Sequence, residues 1–129
     1  LIAYLDSSAL VKLFAEEAES AALRHELTRW PERASSALAR VEVIRVGRAL
    51  GEEVLAVARR VLNDLELVRL RDELLDAAAL LDPLPLRSLD AIHVASAKSL
   101  GDALGAMITY DERMLAAATS AGVSTLTPR

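Results

Sequence analysis

Short apolar runs alternate with longer helical stretches along this chain of 129 residues, and that alternation constrains its fold more than any other feature. A short strand followed by a longer helix, repeated, predicts a parallel sheet covered by helices. LIAYL at residues 1–5 reads as a buried strand. SSALVKLFAE at 7–16 predicts a helix with Ser7 as N-cap, where a serine oxygen satisfies an orphan backbone N–H. Residues 17–29 predict a second amphipathic helix that Pro31 ends. The segment 34–50 is ambiguous, because VEVIRV alternates like a strand while flanking Ala, Leu and Arg extend a helical pattern to Gly51. Further on, the pattern predicts a helix over 52–64, a strand over 65–70, a helix over 71–81 and a Pro-rich loop over 82–86. Ser88 is expected to cap a helix over 88–101 that Gly101 stops. A strand over 106–110, a helix over 111–122 capped by Asp111, and a short strand over 123–126 complete the reading. The expectation is one α/β domain spanning 1–129, with a mainly parallel central sheet flanked by helices.

Four carboxylates interrupt this apolar pattern. Asp6 ends LIAYLD, Glu42 sits within VEV, Asp90 opens LDAIHVASA, and Asp111 ends AMITYD. An acid in such surroundings is costly to keep charged without a partner, and a divalent cation is the partner that accepts several at once. Asp6 and Asp111 each follow a strand and precede a helix, which puts both at the carboxyl edge of the sheet where α/β sites form. Asp90 lies in the first turn of its helix, and Glu42 needs only a helix face turned inward. Four acids from four elements can therefore meet at one point. Mg²⁺ or Mn²⁺ would take their oxygens at ~2.1 Å, and two ions ~4 Å apart are the usual equipment for cutting a phosphodiester.

Each acid also has a purely structural reading. Asp6 and Asp111 would serve as helix caps, worth ~1 kcal/mol each. Asp90 would complement its helix dipole. Glu42 would pair with Arg45 on a solvated face. One shared site accounts for all four together. His93, three residues past Asp90, would act as an acid or orient Asp90, or else stand half-buried and bonded to a neighbour, and the last reading is preferred. His25 falls on a charged helix face. Ser7 and Ser8 are candidates for contact with substrate phosphate or a metal-bound water, and Arg113 for holding a phosphate, against capping and solvation respectively.

The bulk numbers set limits. Hydrophobic residues make up 53% and mean hydropathy is +0.27, but no run approaches the ~20 apolar residues of a membrane span. LIAYLD has no basic leader, so no signal peptide is expected. Without cysteine there is no thiolate site or disulfide framework, and a cytoplasmic location is expected. The formal charge of −4 runs against nucleic-acid binding, yet the four acids account for the whole excess and bound cations would offset it. Arginine outnumbers lysine 13 to 2, which suits bidentate phosphate contacts and also fits a GC-rich coding sequence. Too few aromatics are present for a base-stacking platform.

The segments YLDSSALVKLFAEE, SALARVEV, SLDAIHVASAKSLG and ITYDERMLAAA, in this order and at this spacing, resemble a PIN domain, and more narrowly the VapC toxins of toxin–antitoxin pairs. The resemblance covers nearly the whole chain; LDAIHVA and TYDERM together are its specific part. It implies a three-layer α/β/α fold and a metal-dependent endoribonuclease. It maps the family's four acids onto Asp6, Glu42, Asp90 and Asp111, with Asp6, Asp90 and Asp111 as ligands of Mg²⁺ or Mn²⁺ and Glu42 completing the site. It also implies a homodimer, and a cognate VapB-like antitoxin joining it in a heterotetramer or larger assembly, docked on apolar helices such as 7–16, 17–29 and 52–64. The antitoxin's tail would lie over the acids. An RNA substrate is implied, and no membrane. The rival reading is a non-catalytic module of the same fold that binds an antitoxin-like partner. A haloacid-type phosphatase is disfavoured, since Ser8 stands where its second aspartate is needed.

Overall fold

The computed structural model describes residues 1–129. Five strands form one sheet: β1 (Ile2–Leu5), β2 (Glu32–Ser36), β3 (Glu66–Val68), β4 (Leu104–Ile108) and β5 (Thr125–Leu126). Their order is β3-β2-β1-β4-β5, and every pairing is parallel. Seven helices connect them: α1 (Ser7–Val11), α2 (Ser20–Leu27), α3 (Ala39–Leu50), α4 (Glu52–Asn63), α5 (Asp72–Ala79), α6 (Ser88–Lys98) and α7 (Glu112–Ser120).

β1 is the middle strand and is buried along its whole length. Its side chains alternate between the two faces, as a strand's period of two requires. Ala3 and Leu5 join a core with Leu10, Leu23, Leu27, Val43 and Ala58, contributed by α1 to α4. Ile2 and Tyr4 point the other way and join Val94, Ala97, Met114 and Ala118 of α6 and α7. The sheet is thus the middle layer of three, with α3 on one side and α6 on the other.

The alternation read from the sequence holds, with local corrections. Asp6, not Ser7, is the N-cap of α1, its Oδ1 accepting the Ala9 N–H at 3.0 Å. That helix stops at Val11 rather than running to residue 16, and α2 covers only Ser20–Leu27 of the stretch 17–29. Ser88 is the first helical residue of α6; the N-cap position is Arg87, which makes no side-chain capping bond. The helix ends at Lys98, and Gly101 instead opens a single 3₁₀ turn. VEVIRV resolves to helix, inside α3. Asp111 does cap α7, accepting from Arg113 and Met114 N–H groups.

β2 has no counterpart in the sequence reading. ERASS is polar and short, and its strand conformation comes from its place between β1 and β3. Ser35 is fully buried there, and its hydroxyl donates to the Leu5 carbonyl at 2.6 Å. Tertiary pairing overrides weak strand propensity in such a segment.

Gly105 marks a close approach at the start of β4. A Cβ there would run into the Trp30 ring. Gly105→Val is expected to lower stability by about 1–3 kcal/mol through overpacking, read as a lower urea midpoint. Adding Trp30→Leu should recover part of that loss.

Candidate active site

Two strand ends and two helix starts meet at the carboxyl edge of the sheet. Asp6 directly follows β1, and Thr109 and Asp111 follow the neighbouring strand β4. Glu42 lies in the first turn of α3, and Asp90 in the first turn of α6. Those helices cover opposite faces of the sheet, so their N-terminal turns approach each other over the end of β1.

Asp6 is the most enclosed of the acids, at 1% exposure. Its Oδ1 accepts from the Ser8 hydroxyl at 2.7 Å and the Ala9 N–H at 3.0 Å. Its Oδ2 accepts from the Thr109 hydroxyl at 2.6 Å. Burial nevertheless pushes its pKa above the ordinary value, and the bonds from Thr109, Ser8 and Ala9 only partly counter it.

Glu42 behaves in the opposite way. Burial raises its pKa, but bonds from His93 and Ser7 outweigh that effect and hold it below the ordinary 4.5. Its Oε1 accepts from Ser7 Oγ at 2.6 Å and pairs with His93 Nε2 at 2.8 Å. No bond to Arg45 forms, so the solvated-pair reading fails. Ser7 is therefore engaged with an acid of the site instead of capping a helix.

Asp90 and Asp111 share a shallow open pocket of about 380 Å³ with Arg87, Glu112 and Arg113. Asp90 has its pKa raised, first by burial and then by the Asp111 carboxylate, with Arg87 and His93 opposing and Glu42 adding to the rise. Neither Arg87 nor Arg113 forms an ion pair with an acid. A larger groove of about 860 Å³ between β3, α5 and α6 is lined by none of the four acids.

His93 is 1% exposed and contacts Glu42, with Tyr4 Oη 2.8 Å from its Nδ1. The expectation that it bonds a neighbour is met, but the ring is buried rather than half-buried. Three participants escaped the sequence reading. Thr109 is fully buried against Asp6, and the only signal for it is a hydroxyl inside the apolar run AMITY. Tyr4 is fully buried beside His93, 89 residues away in sequence. Arg87 stands between the Pro-rich loop and the first residue of α6 and carries no sequence signal of its own.

Whether these residues suit a divalent cation can be judged from their free oxygens. Glu42 Oε2, Asp111 Oδ2 and both oxygens of Asp90 accept no bond from the protein. No polar side-chain atom is both buried and unpartnered, so these oxygens face solvent. Hard carboxylate oxygens are the donors that Mg²⁺ and Mn²⁺ prefer. By donor chemistry the residues fit such an ion. In this conformation no three acids stand close enough to hold one; Asp6 is turned into its hydroxyl donors and Asp111 into its cap.

The chain matches the PIN domain family over residues 3–119 and belongs to that family. Its relatives include Ribonuclease VapC46 of Mycobacterium tuberculosis, 51% identical over 126 residues that cover 97% of this chain and 96% of the relative. Ribonuclease VapC35 of the same species is 41% identical over 134 residues, and Ribonuclease VapC47 is 38% identical over 130, each covering 97% of this chain and 96% of the relative. The all-parallel five-stranded sheet between two helical layers is the three-layer α/β/α architecture expected of a PIN domain.

Asp6 gives a direct test of the buried charge. Its raised pKa means that the ionised form costs stability at neutral pH, and that this cost disappears as pH falls through the raised value toward the ordinary 3.8. Asp6→Asn keeps the acceptor for Ser8 and Ala9 and removes the charge. Its thermal midpoint should exceed that of the native chain at pH 7, with the difference shrinking as the pH approaches 4.

Proposed function

We propose that this chain is an endoribonuclease, the toxin of a type II toxin–antitoxin pair, with Asp6, Glu42, Asp90 and Asp111 as its catalytic acids. Membership of the PIN domain family and relatives that carry the name ribonuclease support the reading. The observation that carries it is electrostatic. Asp90 sits beside Asp111 and within the field of Glu42, and its pKa is pushed up, while both of its oxygens stay free of protein donors. A fold that needed these acids only for caps would not gather like charges at one edge.

Asp6, Asp90 and Asp111 would hold Mg²⁺ or Mn²⁺, with Glu42 completing the set. Bound there, the cation supplies activation of the attacking water and stabilisation of the leaving oxygen. The side chains do the remainder. Asp6 is held in one orientation by three donors. Glu42 stays ionised at neutral pH, because His93 and Ser7 hold its pKa down, and its free Oε2 can take a proton from water. Arg87 and Arg113, both exposed and without ion-pair partners, flank the pocket and would anchor the RNA backbone by bidentate contact. Water adds to phosphorus in line and the 3′-oxygen leaves as a hydroxyl, giving a 5′-phosphate and a 3′-hydroxyl.

The partners in this reading are an RNA substrate and a VapB-like antitoxin whose tail covers the acids, on a toxin homodimer. A basic tail side chain would meet the uncompensated charge of Asp90 and Asp111.

Purified chain incubated with total RNA and Mg²⁺ or Mn²⁺ should give discrete fragments that EDTA abolishes. Asp6→Ala and Asp90→Ala should each cut the rate at least ~100-fold, the scale set by loss of a group acting only in the transition state, while circular dichroism stays unchanged. Wild-type cleavage by both variants would refute the assignment. A folded native chain that cuts nothing but captures a basic tail peptide would instead favour a non-catalytic binding module.

A further inference from the structure

The hydrogen bond between Glu42 and His93 joins the two helical layers across the end of the central strand. Glu42 belongs to α3 on one face and His93 to α6 on the other. The bond is 2.8 Å long, and the ring is 1% exposed while the Glu42 side chain is 25% exposed. Behind the ring, Tyr4 Oη stands 2.8 Å from Nδ1, supplied by β1 itself. The polarity of this chain follows from the donors available. An ionised Glu42 can only accept, which assigns a proton to His93 Nε2. In the neutral ring Nδ1 is then an acceptor, and the Tyr4 hydroxyl donates to it. Burial pushes the Tyr4 pKa up, so its hydroxyl keeps that proton. Tyr4 also meets the ring edge-on, with centroids 6.0 Å apart and planes 74° apart.

The consequence is geometric. A glutamate on the first turn of a helix has three rotatable bonds and, left alone, samples solvent. Here Oε1 is pinned by His93 and by Ser7 at 2.6 Å, and Oε2 is left without a protein partner. Neither His93 nor Tyr4 has surface with which to touch an RNA strand, since Tyr4 is fully buried.

We propose that His93 and Tyr4 are positioning residues, which act through Glu42 to hold its free carboxylate oxygen toward the cation and substrate. This deepens the ribonuclease reading and rests on it. A hydrogen-bond partner behind a metal-site carboxylate commonly sets its orientation, and loss of such a partner typically costs 10- to 100-fold in metal affinity or activity. The rival is a buried histidine that only satisfies the core.

The test uses the full chain and two independent readouts: Mn²⁺ affinity by isothermal titration calorimetry, and the kcat and KM of RNA cleavage. His93→Leu removes the donor to Glu42. The double variant Tyr4→Phe with His93→Leu also removes the hydroxyl that loses its His93 partner, and replacing both partners of a buried bond is close to neutral for stability. Both are expected to weaken Mn²⁺ binding about tenfold and lower kcat by about as much, with KM within about twofold. His93→Gln, whose amide can donate to Glu42, should recover most of the loss. In a Glu42→Ala background, His93→Leu should cost nothing more, because two residues acting through one contact are not additive. His25→Leu, on an exposed face of α2, is the control. A folded double variant with native Mn²⁺ affinity and native kcat overturns the proposal, as does a full further loss in the Glu42→Ala background. The two readings fail separately. If the native chain cuts no RNA yet His93→Leu still weakens Mn²⁺ binding, the positioning role stands and the ribonuclease reading falls.

Discussion

A carboxylate buried at the end of the central strand has to be solvated by protein, and the edge around it is built to do that. Asp6 has 1% exposure, and an ionised acid so enclosed costs several kcal/mol unless it is hydrogen-bonded. Ser8 and Ala9 reach it from the start of α1, and Thr109 reaches it from the end of β4. Those three donors tie β1, α1 and β4 together at one point. The same Thr109 hydroxyl accepts the Asp111 N–H at 3.1 Å, and Ser8 Oγ accepts the Tyr110 N–H at 3.0 Å. The backbone that carries Asp111 is therefore placed by the groups that solvate Asp6.

The donors do not fully repay the burial, since Asp6 keeps a raised pKa, and Asp90 keeps one too. Glu42 is instead held low, by the imidazole and the Ser7 hydroxyl behind it. Three acids facing one edge under different electrostatic conditions is a costly arrangement for a fold of this size. Proteins tolerate such sites where function requires them and recover stability elsewhere. Here recovery comes from a sheet packed on both faces, with separate apolar cores above and below β1. Polar satisfaction adds to it, because no buried side-chain donor or acceptor lacks a partner.

Much of this was legible in the chain. LIAYL, AMITY and the helices after them gave the alternation that makes the sheet parallel, and Asp6 and Asp111 fell at its carboxyl edge by that logic alone. β2 was illegible because ERASS has neither apolar alternation nor β-branched residues; pairing with β1 and β3 makes it a strand. The ends of α1 and α6 were misjudged because backbone geometry, not the nearest serine, fixes the cap. Asp6 bonds Ala9 N–H while Ser7 is drawn away to Glu42.

Residue type and spacing alone determined that this chain is α/β, that four acids stand out against apolar surroundings, and that strand ends carry two of them. Tertiary structure decided which neighbours each acid has. Sequence periodicity reports which face of an element is apolar, because burial is a property of one segment at a time. It cannot report that Tyr4, Glu42 and His93 stand in line, because that depends on how two helices on opposite faces of the sheet are set over the end of one strand.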